Sequence, residues 1–276
     1  MVYPNTMRSL SVQIPNEPRA TPATLSHLRL AMEALATAGH PARPSLAMGW
    51  SEGGNRPAPA APPAPDTHLT FGALHEWFGL ACEAKSLSIW TPPLTLLVHL
   101  AACSRAAPNT TPRAANPPVL WIGKRVWPYG HALKRHPSLF EASICIDTQD
   151  KAQQFWAIDI ALRGAGDGAV IIADASGLPL AMSRRLQLAA EAGGSLALLA
   201  RPPWEEAELS VAATRWRVRS AAECADAPQW SMALMRCKGA QAHDTHPRIL
   251  EQTHDGRLIA LSPSLAHRPR TTALAS

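Results

Sequence analysis

Two runs with almost no polar side chain, Ala169-Val-Ile-Ile-Ala173 and Ser195-Leu-Ala-Leu-Leu-Ala200, constrain this chain most. Successive side chains of a strand point to opposite faces, so a strand apolar at every position must be covered on both sides. Helical patterns supply the cover. Gln149–Arg163 has Trp156, Ile160 and Leu162 for a buried side, and Ser183–Gly193 ends on Gly193-Gly194. Upstream, Leu69–Phe78 alternates like a strand, and Val119–Ile122 and Ser143–Asp147 are short apolar strands. Thr91–Cys103 reads as a buried helix, with Thr91 as N-cap and Pro92 at its first position. Beyond residue 207 the helical pattern stops, and Thr214–Arg219, Gln229–Cys237 and Arg257–Leu261 read as antiparallel strands. The expected fold is α/β: a largely parallel sheet flanked by helices, with an antiparallel C-terminal extension.

The alternation occupies residues 67–262. The stretch 1–66 holds many of the 26 prolines and ends in Arg56-Pro-Ala-Pro-Ala-Ala-Pro-Pro-Ala-Pro65, of polyproline II type. We expect a largely disordered extension there, broken by one short amphipathic helix over Thr24–Thr37 that either docks on a partner or packs on the domain. Residues 263–276 read as a mobile basic tail. The residues after Met1 form no apolar core of signal-peptide type, and no run reaches a membrane span, so a cytoplasmic protein without membrane contact is expected. Five scattered cysteines with no C-x-x-C pair argue against a disulfide framework or a zinc site.

The segment Leu74-His-Glu-Trp-Phe-Gly79-Leu-Ala-Cys-Glu-Ala84-Lys85-Ser86 resembles the strand and phosphate loop that open the RecA ATPase core. Ala161-Leu-Arg163 with Ala169–Asp174 resembles the helix and second ATPase strand of that core. Arg184–Leu188, Gly193-Gly194, Leu198–Pro202 and Ala213–Val218 resemble one subgroup more closely, the ImuA-type accessory proteins of mutagenic translesion synthesis. Trp230–Gly239 fits that subgroup's terminal strand, and the likeness covers roughly residues 70–262. The cell-division inhibitor SulA shares the middle of the pattern. The resemblance implies a RecA-like core. It also implies partners: an ImuB-type Y-family polymerase homologue, an alternative catalytic subunit of DNA polymerase III, and RecA.

A phosphate loop needs glycines whose N–H groups face the phosphates, a lysine on the β/γ oxygens and a hydroxyl on Mg²⁺. Gly79, Lys85 and Ser86 have the right spacing, but the second glycine is Ala84, and Leu87–Thr91 looks extended where a helix should begin. The glutamate that would activate water after Val119–Ile122 is replaced by Gly123-Lys124-Arg125, and the polar sensor by Ala200-Arg201. Asp174 remains, either to orient Mg²⁺ through water or to cap the turn Asp174–Gly177, the reading we favour. Phosphoryl transfer needs these charges together, so a degenerate site with no cofactor, no metal and no catalysis is expected.

His243 and His246 lack a third ligand at metal spacing and read as a solvated loop. Trp77, Trp121, Trp156 and Trp216 sit in apolar patterns and read as core, whereas Trp50 and Trp204 stand beside prolines as interface candidates. Arg201, Arg215, Arg217 and Arg219 form the densest basic group, the last three sharing one strand face. That row is open to DNA phosphates, an acidic partner surface or solvent, and the net charge of +5 permits each. The expected function is a non-catalytic scaffold in an SOS-type DNA damage response. A SulA-like division inhibitor and a weak nucleotide-dependent DNA-binding ATPase are the alternatives.

Overall fold

The structure, a computed structural model, describes residues 9–10, 69–81, 89–106, 117–221, 227–238, 247–253 and 258–261. In chain order the strands are β1 (Ser9–Leu10), β2 (Ala73–Phe78), β3 (Leu80–Ala81), β4 (Trp90–Thr91), β5 (Val119–Ile122), β6 (Ser143–Ile146), β7 (Val170–Asp174) and β8 (Leu196–Arg201). Four more follow: β9 (Thr214–Ser220), β10 (Gln229–Cys237), β11 (Arg248–Gln252) and β12 (Leu258–Leu261). The helices are α1 (Leu94–Ala106), α2 (Gly130–Lys134), α3 (Pro137–Ala142), α4 (Lys151–Gly164) and α5 (Leu180–Gly193).

Ten of these strands form one sheet in the order β1-β6-β5-β7-β8-β2-β9-β10-β11-β12. It is parallel from β1 to β9 and antiparallel from β9 to β12, while β3 and β4 pair as a separate two-stranded ribbon. Every residue of β2, β5, β7 and β8 is buried. The mixed α/β architecture with its antiparallel C-terminal strands is the one expected from the alternation.

The sheet divides the core in two. On one face α1, α2 and α3 pack with Trp77, Trp121, Trp216, Val170 and Leu198. Trp77 and Trp216 are register partners on β2 and β9 and stack with ring centroids 5.3 Å apart and planes 5° from parallel. Such a pair contributes about 0.5–1.5 kcal/mol beyond its buried area. On the other face α4 and α5 bury Phe155, Ile158, Leu162 and Leu186 against Leu74, Ile171 and Leu199. Asp150 caps α4 by accepting the Gln153 N–H. The two helices meet so closely that a Cβ on Gly193 would lie 1.8 Å from the Leu162 carbonyl oxygen. Glycine is required there by contact with backbone.

Several boundaries differ from the expected ones. Thr91 does not cap the first helix: it lies in β4 opposite Leu80, and α1 starts only at Leu94. The strand expected from Leu69 begins at Ala73, after a turn in which the Gly72 N–H donates to the Ser195 carbonyl. α5 starts one turn earlier than Ser183, directly after Pro179. Trp156 and Ile160 are only half-buried, because the sheet-facing stripe of α4 runs through Phe155, Ala157, Ile158, Ala161 and Leu162. β11, with one buried residue in five, was not foreseen. Ser9–Leu10, inside the stretch read as an extension, forms a parallel edge strand against Cys145–Ile146. The Thr24–Thr37 helix, Trp50, the proline run to Pro65, His243, His246 and the tail from 263 lie outside the described residues. No helix among the described residues is long and apolar enough to cross a membrane.

Candidate functional site

All parallel strands end on one edge of the sheet, which brings together Phe78, Ile122, Asp174 and Arg201. From β5 the chain passes outward to β6, and from the adjacent β7 it passes inward to β8. A crevice forms at such a divergence and is the usual ligand position of an open α/β sheet. At this divergence stand Lys124, Arg125, Lys151 and Asp174. Asp174 Oδ1 accepts the Ser176 N–H at 2.9 Å and the Ser176 hydroxyl at 2.6 Å, so it caps the turn after β7. Its Oδ2 lies 3.4 Å from Arg125 Nε and 3.6 Å from Lys151 Nζ. Lys124 pairs with Asp147 at 3.1 Å, and Arg125 stacks over Trp90. The one buried carboxylate of the crevice is thus met by two side-chain cations, which leaves a divalent ion little charge to neutralise.

Gly79 is used differently from a phosphate-loop glycine. Its N–H donates to the Arg201 carbonyl, and a Cβ would fall 2.3 Å from the Thr91 oxygen and 2.7 Å from the Trp90 ring. The crossing of β4 demands this glycine. Ala84, Lys85 and Ser86 lie outside the described residues.

The densest chemistry stands beside the crevice, around Glu76. This glutamate is fully buried in the middle of β2, an expensive place for a charge without partners. Its Oε1 accepts from Arg201 Nη1 at 2.9 Å and from the Ser210 hydroxyl at 2.6 Å, and its Oε2 accepts from Arg215 Nε at 2.8 Å. Arg201 turns its remaining donors to Glu205 Oε2 at 2.9 and 2.7 Å. Arg215 donates to the carbonyls of Glu206 and Glu205, and both guanidinium groups lie over the Phe78 ring. Arg217 and Arg219 close on the two oxygens of Glu206, each at 2.6 Å. Burial alone would raise the Glu206 carboxyl, but the hydrogen bonds and charge of Arg217 and Arg219 outweigh it and hold the group below the usual range.

The candidate contact residues therefore separate. Arg201 is 1% exposed and Arg215 is 8% exposed, so both are corrected from partner-contact candidates to core ion-pair residues. They are buried because Glu76, on the neighbouring strand, needs them. Arg217 and Arg219 remain 42% exposed along their side chains, and Trp204 is 51% exposed. Glu76, Glu205, Glu206 and Ser210 were missed. A glutamate between Leu74 and Trp77 in an apolar strand was the signal, since such a charge must find cations on adjacent strands. Among the described residues no group of three potential metal ligands comes together. No protein-family model matches this chain, and no curated protein matches it.

Proposed function

We propose that this chain is a non-catalytic RecA-like accessory protein that works by binding protein partners. One observation carries the reading: at the crevice where an ATPase would hold magnesium and polarise water, Asp174 is engaged by Ser176, Arg125 and Lys151. Lys124 and Arg125 also stand where the resemblance would place a catalytic glutamate, and a cation cannot accept a proton from water. The likeness of Arg184–Leu188, Leu198–Pro202 and Ala213–Val218 to the ImuA-type proteins supports a role in SOS-type mutagenic translesion synthesis in the cytoplasm. Its partners on that reading are an ImuB-type Y-family polymerase homologue, an alternative polymerase III catalytic subunit and RecA.

The test is ATP turnover by the purified full chain, with and without single-stranded DNA. Turnover at the buffer background is expected in both. Ala84→Gly leaves it there, because that change supplies no base. ATP hydrolysis that disappears in Lys85→Ala would overturn the non-catalytic reading.

A further inference from the structure

The connection from β8 to β9, residues 202–211, is a strap fixed at three points. Glu205 accepts from Arg201 at 2.7 Å and from the Gly177 N–H at 2.8 Å. Glu206 holds Arg217 and Arg219. Ser210 donates to Glu76 at 2.6 Å and meets the Ser183 hydroxyl at 3.2 Å, while its carbonyl accepts from Arg236 at 2.7 Å. Although the strap is tied down, Trp204 is 51% and Leu209 is 72% exposed. Only three other large apolar side chains among the described residues are exposed, Ile89, Tyr129 and Leu188. Two of the five thus stand on one short, rigid segment. Tryptophan and arginine on a preorganised backbone are the composition of an interface anchor, because little ordering entropy is lost on contact.

Charge decides what fits. Four guanidinium groups, of Arg201, Arg215, Arg217 and Arg219, pair with three carboxylates, of Glu76, Glu205 and Glu206, and the exposed Glu208 of the strap is offset by Arg236, which reaches the Ser210 carbonyl. The two at the core end are enclosed, whereas Arg217 and Arg219 share the single Glu206 carboxylate and stay 42% exposed. The surplus positive charge is therefore at the surface, with N–H donors available to an incoming carboxylate. A nucleic acid is the poorer match, since one uncompensated cation neutralises about one phosphate and leaves the apolar residues unused.

Resting on the partner-binding reading above, we propose that the 202–211 strap is a docking surface for an acidic, leucine-bearing segment of a partner protein. Trp204 and Leu209 receive the apolar side chain, and Arg217 with Arg219 receives the carboxylate.

The experiment measures fluorescence anisotropy of a labelled synthetic peptide of glutamate and leucine, beside its glutamine–leucine counterpart, on the full chain. The acidic peptide is expected to bind at least tenfold tighter than the neutral one. Trp204→Ala and Leu209→Ala should each weaken it tenfold or more, while Tyr129→Ala leaves it unchanged. Arg217→Ser with Arg219→Ser should equalise the two peptides; thermal melting confirms that each variant is folded, and Trp204→Ala, a change at an exposed position, decides the matter if the double variant is not. Equal affinity of both peptides, or full affinity in Trp204→Ala, overturns the proposal. So does displacement of the peptide by a single-stranded oligonucleotide, or by self-association of the chain on gel filtration with light scattering. A failure here with ATP turnover still at background removes the docking surface and leaves the non-catalytic reading standing; hydrolysis with intact peptide binding does the reverse.

Discussion

Replacing Glu76 by Gln is expected to destabilise the fold by about 3–5 kcal/mol, the cost of removing one partner from a buried ion pair. The amide keeps the size of the side chain and an acceptor oxygen, so packing is little altered. What is lost is the counter-charge of Arg215, which otherwise has only backbone carbonyls and the Phe78 ring as partners and is 8% exposed. Arg201 suffers less because Glu205 still faces it. Removing charge on both sides should behave differently. Glu76→Leu combined with Arg215→Met leaves no unpaired ion in the interior and should recover most of the lost stability. Urea unfolding of the two variants beside the parent separates these effects. A loss below about 1 kcal/mol in Glu76→Gln, the range of an exposed pair, would show that water screens the network.

Stability should fall as the pH drops from 6.5 to about 4, a loss that begins well above the carboxylate range. His75 is fully buried in β2, and burial pushes its pKa down to about 4, opposed only in part by the hydrogen bond to the Thr70 carbonyl. Its Nδ1 lies 2.8 Å from the Thr214 hydroxyl and its Nε2 3.0 Å from the Thr70 oxygen. The Thr70 carbonyl only accepts, so these contacts partner both nitrogens of the Nε2–H tautomer, with the Thr214 hydroxyl donating to Nδ1, and desolvation is what keeps the ring uncharged. The unfolded chain takes up a proton near pH 6.5, whereas the folded chain refuses it until about pH 4. The stability contributed by neutral His75 is therefore fully present above that window and lost as pH falls through it, by about 3 kcal/mol. His99 acts in the same direction: burial, then the charge of His136, lowers it to about 4. Asp159 and Glu206, both held below the usual carboxylate range by arginines, add a separate loss at lower pH. His75→Gln should lose about half of the slope between pH 6.5 and 4, with His99 supplying a comparable share of the rest, whatever its stability at pH 7. A parent protein equally stable at pH 7 and pH 4.5 would contradict this.

The parallel sheet was legible because β7 and β8 have no polar face, and only burial on both sides accounts for that. The start of α1 was not. Thr91-Pro92 carries a good helix-start signal, yet pairing with Leu80 holds Thr91 extended, and tertiary contact outweighs a local preference. β11 escaped notice because half-buried residues flank its one buried leucine, giving a weak period of two. The arginine row shows the deeper limit. Alternation places Arg215, Arg217 and Arg219 on one strand face, but it cannot tell a face turned to solvent from one turned to carboxylates. That depends on the 202–211 strap folding back over β9, through contacts between residues 9 to 13 positions apart that a period of two does not encode. Glu76 was the available clue, being a charge in the middle of an apolar strand whose partners had to come from its neighbours.

The most direct test of a partner-binding role is co-purification of the tagged full chain with three defined baits: an ImuB-type polymerase homologue, RecA and the tubulin-like division protein. The account predicts capture of the polymerase homologue, weakened when Arg217 and Arg219 are both replaced by Ser, with the division protein left in the flow-through. Capture of the division protein alone, or of none of the three, would contradict it.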